Sequence, residues 1–317
     1  MKRPVARQIF PDILELLRAQ AEVIDNQAGD AISGEELAAR AKDANGLLVA
    51  TGLDFVDAKL LAGAPKLKVV ANIGVGYDNI DVDACRERGV IVTNTPGVVD
   101  DATADLAFAL MLAAARRVAE ADRFVRDGRW SESSQFGLGL DVHHQTLGII
   151  GFGRIGKAIA KRAAGFDMRI LYYNRRRTDT AEEARLGVEF ADLDTLLGNA
   201  DFVVLQVPGT PQTHHLIGAA QLSQMKPTAV LVNTARGGVV DDEALAAALA
   251  DGTIAAAGLD VFEGEPDVNQ ALKALPNVVC APHIGSATLG TRHAMVLLAA
   301  RNLLAALAGE APPNRVD

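Results

Sequence analysis

The chain has 317 residues, 49% hydrophobic and 22% charged, with 31 Lys and Arg against 40 Asp and Glu. That is enough apolar material for about two packed domains and excludes a disordered chain. The formal charge of −9 argues against a general binder of nucleic acid or of anionic membrane, and two cysteines, Cys85 and Cys280, make no disulfide framework, which points to a reducing cytoplasm.

The start, Met1-Lys2-Arg3-Pro4, has no apolar stretch behind its charges, so no signal peptide is expected. The first expected strand, near Val5–Ile9, is weak because Arg7 and Gln8 interrupt it. Clearer strands follow at Gly46–Ala50, Lys68–Ile73 and Val90–Thr93. Between them lie helical stretches, one opening on a capping box, Ser33-x-x-Glu36, and one over Val82–Arg88 that stops at Gly89. Asp100–Asp127 reads as one long helix, with Asp100 or Asp101 as N-cap and Gly128 as terminator. Its first half is apolar on every side. That fits a buried core helix, and equally one that crosses between domains and packs on a second subunit. The longest apolar run, Leu106 to Ala115, is too short to span a bilayer.

After a loop over Gly128–His144 the alternation restarts. Strands are expected at Leu147–Ile150, Arg169–Tyr173, Phe202–Gln206, Val230–Asn233, Ala255–Leu259 and Val278–Cys280, and a last helix from about Thr288 to Ala308. Alternating strands and helices imply parallel sheets covered on both faces. Six strands after residue 145 complete one doubly wound dinucleotide-binding domain, and the last helix is surplus to it.

Strand Leu147–Ile150 runs into Gly151-Phe152-Gly153-Arg154-Ile155-Gly156 and then into a helix. A lone G-x-G-x-x-G is weak evidence, but between a strand and a helix it marks a pyrophosphate site. Gly151 makes the tight turn, Gly153 admits the pyrophosphate, Gly156 lets helix and strand pack, and the helix N-terminus supplies free N–H groups. The next strand ends Asn174-Arg175-Arg176-Arg177. A carboxylate at this place accepts from the ribose 2′-OH of NAD. Asn174 has no charge, and guanidinium groups suit a 2′-phosphate, so NADP(H) is expected over NAD(H). The bland alternative is a solvated basic loop.

Three further segments lie at expected strand ends, where open α/β sheets place ligands: Asn233–Gly238, Gly258–Pro266 and Ala281–Ser286. Reducing a 2-oxo acid needs a cation to hold the carboxylate and polarise the carbonyl, which suits Arg236. It also needs a proton donor active near neutral pH, which suits His283, and an anion beside it to orient the imidazole and favour its protonated form, which suits Glu265. Taken singly, the three also read as a capping arginine, a surface carboxylate and a loop histidine. The adjacent pairs His143-His144 and His214-His215 are expected to point apart and to lack ligand-like company, so no metal is assigned.

With these segments the chain resembles the D-isomer-specific 2-hydroxyacid dehydrogenases over nearly its whole length. Gly74-Val75-Gly76-Tyr77-Asp78-Asn79, the turn at 151–156, Asn233-Thr234-Ala235-Arg236-Gly237 and Pro282-His283-Ile284-Gly285-Ser286 carry the likeness. Within the family, Asp141–Gly148 and the arginine-rich strand end resemble bacterial glyoxylate/hydroxypyruvate reductases, also described as 2-ketogluconate reductases. The weak first strand departs from the family pattern. The resemblance implies a Rossmann cofactor domain, 100–285, inserted in a flavodoxin-like substrate domain, 1–99 with 286–317, the two closing on substrate by a hinge.

It also implies NADPH-dependent reduction of glyoxylate, hydroxypyruvate or 2-keto-D-gluconate. Arg236, Glu265 and His283 form the implied catalytic set, and the backbone of Val75 and Gly76 grips the substrate carboxylate. Asp260 lies at the nicotinamide end, and a homodimer forms around the helix after residue 100. The expected cofactor set further includes Val207, Pro208, Thr213, Thr234, Ala235 and Ser286 together with Arg236 and His283, and Leu53 and Phe136 are expected in the substrate pocket. A phosphoglycerate or D-lactate dehydrogenase is the nearest rival, but those usually carry an acid where Asn174 stands. Glu265 speaks against a formate dehydrogenase. A non-catalytic NAD(P)-sensing interaction protein on the same scaffold is the rival from another class, and turnover of a 2-oxo acid separates the two.

Overall fold

The computed structural model describes residues 2–4, 9–27, 32–50, 54–131 and 136–316. The chain divides into two compact units, Met1–Val99 with Ala287–Asp317, and Asp100–Ser286. No helix among the described residues is long and apolar enough to cross a membrane.

The first unit begins β1 (Lys2–Pro4), α1 (Pro11–Arg18), β2 (Glu22–Ile24), α2 (Gly34–Ala41), β3 (Gly46–Val49), α3 (Ala58–Gly63), β4 (Val69–Asn72), α4 (Val82–Glu87) and β5 (Ile91–Thr93). Its ladders are parallel, β1 with β2 and β3-β4-β5. With β1 beside β3 the strands follow the order β2-β1-β3-β4-β5, the flavodoxin-like order. Strands β3 and β4 are buried along their whole length, which is why they read as unbroken apolar runs. Side-chain caps fix the helix starts: Asp57 accepts from Leu60 N and Asp81 from Ala84 N. The capping box expected at Ser33 is half formed. Ser33 accepts from Glu36 N, but the Glu36 carboxylate turns to Arg40. Of the strand expected over Val5–Ile9, residues 5–8 lie outside the described residues, and β1 precedes them.

The second unit opens with α5 (Asp100–Ala115) and α6 (Val118–Arg126). There follow β6 (Thr146–Ile150), α7 (Arg154–Ala163), β7 (Arg169–Tyr173), α8 (Thr180–Leu186), β8 (Val188–Phe190), α9 (Leu193–Asn199) and β9 (Phe202–Leu205). The unit closes with α10 (Ala219–Leu222), β10 (Val230–Asn233), α11 (Asp242–Ala250), β11 (Ala256–Leu259), α12 (Gln270–Ala274) and β12 (Val278–Cys280). All strands join one parallel sheet in the order β12-β11-β10-β9-β6-β7-β8. The order reverses between β6 and β9, so the loops after these two strands flank the place where such sheets bind ligands. The sheet has seven strands where six were expected. The extra one, β8, is a three-residue edge strand with exposed Glu189 at its middle, pairing only with β7, too short and too polar to announce itself.

The long helix expected over Asp100–Asp127 is two helices. Arg117 takes a left-handed conformation, φ +55°, and its guanidinium binds both oxygens of Glu120 in the first turn of α6. The Ala115 carbonyl left open at the break accepts Leu140 N from the returning chain, 2.8 Å. No glycine or proline marks the break, so nothing in the periodicity reveals it. Helix α5 packs on β10, β11 and α7, which explains its uniformly apolar surface. The last helix, α13 (Leu289–Ala308), returns to the first unit and covers β3, β4 and β5. Its start is capped by Thr288 and its end turns at Gly309, φ +84°.

Candidate active site

The glycine turn sits between β6 and α7. Gly151 has φ +100°, and a Cβ there would lie 2.5 Å from the carbonyl carbon of Gln206, so both its conformation and the loop after β9 demand glycine. A Cβ on Gly156 would meet the Gly151 carbonyl at 2.5 Å. Gly153, the N-cap of α7, is different: nothing lies within 4 Å of its Cβ position. Protein packing does not require glycine at 153, and the open space lies where a pyrophosphate would approach the amides of the first helical turn. The turn therefore fits a dinucleotide. Phe152 contributes only backbone to it, since its ring is buried and stacks on Tyr172 at 4.3 Å. Ile155 is half-buried and Arg154 exposed.

At the end of β7 the three arginines separate by role. Arg177 makes two hydrogen bonds to Glu183, which also accepts from Tyr172 OH, and these bonds hold the Glu183 carboxyl down to about 2. Arg177 is thus part of the scaffold. Arg175 and Arg176 are exposed, and among the described residues no carboxylate pairs with either. Asn174 donates to the Arg176 carbonyl and so shapes their turn.

A line of contacts leads from the glycine turn to the histidine. Gln206, after β9, donates from Nε2 to Thr234 Oγ1. In the next turn, Asn233 accepts from Ala235 N and donates to the Arg236 carbonyl. The Arg236 stem lies against Gly209, where a Cβ would approach its Cγ to 3.0 Å. Gly237 fixes the register of this turn on the next one. A Cβ there would overlap the Phe262 carbonyl at 1.8 Å, so any other residue pushes the two turns apart. That contact sets the half-buried Arg236 near Glu265, whose carboxylate its charge helps to keep ionised.

Glu265 accepts Phe262 N on Oε1 (2.9 Å) and His283 Nδ1 on Oε2 (2.8 Å). Burial pushes its carboxyl up, but these two bonds and the neighbouring charges outweigh burial and leave it below the ordinary carboxylate range. His283 has φ +55°, unfavourable for a side chain with a Cβ, and Asp260 holds it there. The Asp260 carbonyl accepts His283 N, and its carboxylate accepts Ile284 N at 2.7 Å and Gly285 N at 2.8 Å. Asp260 is 1% exposed, and burial pushes its carboxyl up against the pull of those amides. Both its oxygens accept backbone amides, so Asp260 fixes the turn that carries His283.

The remaining expected residues fall in several places. Val207 adjoins the glycine turn, and Thr234 and Ala235 are buried in the turn before Arg236. The Thr213 hydroxyl is committed to its own turn, donating to the Pro208 carbonyl and accepting from Thr210 N. Ser286 is half-buried directly after the His283 turn. The ring of Phe136 packs on Phe124 and under the Arg117 guanidinium. In the first unit, Asn72 and Asn94 bind the carbonyls of Gly74, Val75 and Gly76, so that loop turns its acceptors inward. Leu53 lies outside the described residues.

Two features escaped the sequence. Asp242, buried at the start of α11, accepts Glu263 N and steadies the segment carrying Glu265; burial raises its carboxyl to about 6. Beside Asp241, which caps the same helix, it reads as a second cap. The adjacent histidines do not point apart: the rings of His214 and His215 stack at 3.9 Å, and those of His143 and His144 meet edge-on at 4.9 Å. In each pair the second residue has φ near +50° to +60°, which bends the chain so that consecutive side chains leave on one side. Nor is ligand-like company missing, since His215 Nε2 lies 3.0 Å from Glu263 Oε2.

Residues 108–285 match the model for the NAD-binding domain of D-isomer-specific 2-hydroxyacid dehydrogenases. The chain is 56% identical over 275 residues to a glyoxylate reductase of Thermococcus litoralis, spanning 85% of this chain and 83% of that one. Among solved structures, a protein from Thermus thermophilus superposes with a TM-score of 0.91 at 44% identity, covering all of both chains. An NADPH-dependent glyoxylate/hydroxypyruvate reductase from Sinorhizobium meliloti, solved with NADP and malonate, superposes with a TM-score of 0.87 at 37% identity, over 99% of this chain and 96% of that one.

Proposed function

This chain belongs to the D-isomer-specific 2-hydroxyacid dehydrogenase family, and is thus an oxidoreductase with an NAD(P)-binding domain; on that premise we propose that it reduces glyoxylate, and with it hydroxypyruvate and 2-keto-D-gluconate, to D-2-hydroxy acids with NADPH. The observation that carries the reading is the His283–Glu265 pair at 2.8 Å with the charge of Arg236 on the same carboxylate. The nicotinamide cofactor, when bound, supplies the hydride. Arg236 holds the substrate carboxylate and draws electron density toward the carbonyl oxygen. His283 gives that oxygen a proton from Nε2, because Nδ1 is occupied by Glu265. Asp260 keeps the imidazole in place through the backbone. A kcat/KM panel over glyoxylate, hydroxypyruvate, 2-keto-D-gluconate and pyruvate, run with NADPH and with NADH, tests this. Turnover of none of the four removes the reading.

Preference for NADPH rests on Asn174 and on Arg175 and Arg176, which no carboxylate of the described residues neutralises. Replacing both arginines by Ala raises KM for NADPH far more than KM for NADH. A charge-assisted contact contributes about 1.5–3 kcal/mol, so loss of one contact alone costs NADPH roughly tenfold or more. Equal changes in both KM values assign the arginines to solvent.

The proton-donor role sets the pH dependence. Reduction uses protonated His283, so kcat/KM falls as pH rises and the imidazolium is lost. Glu265→Gln replaces the titrating carboxylate with an amide, and the acid-side fall that follows its protonation is lost. Glu265 itself stays ionised below the ordinary carboxylate range, so the acid side of the wild-type profile does not begin until the pH is lower still. An acid-side fall unchanged in Glu265→Gln assigns the carboxylate a purely structural part.

A homodimer completes the proposal. Val118 and Val125 on α6, and Trp130 and Leu138 after it, are between 52% and 95% exposed, a set of large apolar side chains left uncovered on one segment of the second unit.

A further inference from the structure

We propose that His214, His215 and Glu263 form a binding site for a divalent ion of the zinc type, separate from the proposed catalytic residues. One nitrogen from each ring and a Glu263 oxygen lie within 4.8 Å of one another, and all three residues are exposed. A tetrahedral zinc with bonds near 2 Å sets its ligands about 3.3 Å apart. His215 Nε2 and Glu263 Oε2 already stand at 3.0 Å, so a small rotation of His214 completes three ligands, and water takes the open fourth place.

The outer shell is what such a site requires. His214 Nδ1 lies 3.1 Å from the Gly238 carbonyl. A carbonyl only accepts, so the neutral ring carries its proton on Nδ1 and presents the lone pair of Nε2. His215 Nδ1 faces the Asp241 carboxylate at 3.9 Å, which leaves its Nε2 for the ion in the same way. The stack of the two rings follows from the left-handed His215, φ +49°, held by its own N–H to the Gly238 carbonyl and so built into the turn rather than formed by chance rotamers. Two histidines and a glutamate with one open position are a set suited to zinc and its neighbours in the first transition series, not to calcium or magnesium, which take oxygen ligands.

An ion there ties the 213–216 turn to the segment that carries Glu265 two residues further on. The test is a zinc titration of the full-length chain against a chromophoric chelator, with the thermal unfolding midpoint followed in parallel. One zinc binds per chain and raises the midpoint. His214→Gln, which keeps a donor for the Gly238 carbonyl, and Glu263→Gln each weaken binding by about 10–100-fold or more. Both keep metal-free folding, and His143→Gln binds as the wild type does. The proposal is overturned if the wild type takes up no zinc, or if both variants bind as tightly as it does. It is overturned equally if binding is lost instead in His143→Gln or in Cys280→Ser, which places the ion at another exposed donor.

Discussion

His283→Asn lowers kcat for 2-oxo acid reduction by about 10²–10⁴, the usual worth of a positioned general acid, while the affinity for the reduced cofactor stays that of the wild type. Asparagine is the informative replacement because of the backbone. At φ +55° an alanine keeps a Cβ in the left-handed region with no polar side chain to suit it, whereas asparagine visits that conformation readily. The bonds from His283 N, Ile284 N and Gly285 N to Asp260 persist in the variant, so the turn and the unfolding temperature are kept. Steady-state kinetics with glyoxylate and a fluorescence titration of cofactor separate the two effects. A loss of less than about tenfold in kcat is too small for a general acid and would give the proton to another group. An equal loss of cofactor affinity would make the histidine a binding residue.

Much of the framework behind this prediction is legible in the residues. Strands Arg169–Tyr173, Val230–Asn233 and Val278–Cys280 lie where their apolar runs put them, and Val230–Asn233, buried along its whole length, shows the reason: a strand buried on both faces leaves an unbroken run between polar turns. The glycine turn is legible for a related reason: backbone clashes at 151 and 156 admit no other residue. What depends on a single residue against its propensity is not legible. Arg117 breaks a helix in which every local signal favours continuation, and the chain returning through Leu140 makes the break tolerable. The left-handed His144 and His215 turn side chains that alternation would separate onto one side. Asp260 and Phe152 sit in the motif segments as expected, yet Asp260 turns its carboxylate, and Phe152 its ring, inward. A motif fixes a backbone place. Which side chain at that place faces a ligand is decided by what packs behind it.

Convergence of the proposed catalytic set is the clearest case. Residues 236, 265 and 283 are far apart in sequence, and no spacing rule unites them. Two contacts do: Gly237 pressed onto the Phe262 carbonyl, which brings the arginine turn to the acidic segment, and the Glu265–His283 bond, which closes the acidic segment on the last strand end. Adjacent parallel strands β10, β11 and β12 deliver the three segments side by side at their carboxyl ends. The arrangement is a property of strand order, which no local motif encodes.

Arg236→Ala lowers kcat/KM for glyoxylate by about 10²–10⁴. That corresponds to two charge-assisted bonds of roughly 1.5–3 kcal/mol each, lost from substrate carboxylate and carbonyl together. Arg236→Lys recovers only part of this, because an ammonium supplies the charge without the planar fork. The pattern across the two parameters matters as much as the size. A guanidinium that only bound the carboxylate would change KM and leave kcat alone, while one that also stabilises charge developing on the carbonyl oxygen lowers kcat as well. Added guanidinium ion restores part of the Arg236→Ala activity if the space left beside Gly209, against which the Arg236 stem lies, is intact. Because Arg236 also helps to keep Glu265 ionised, its loss carries the acid side of the pH profile to higher pH. The sign follows from the removal of a positive charge near a carboxylate, which raises the pH at which that carboxylate takes up its proton. An Arg236→Ala enzyme with wild-type kcat and an unmoved acid limb would detach the arginine from both roles.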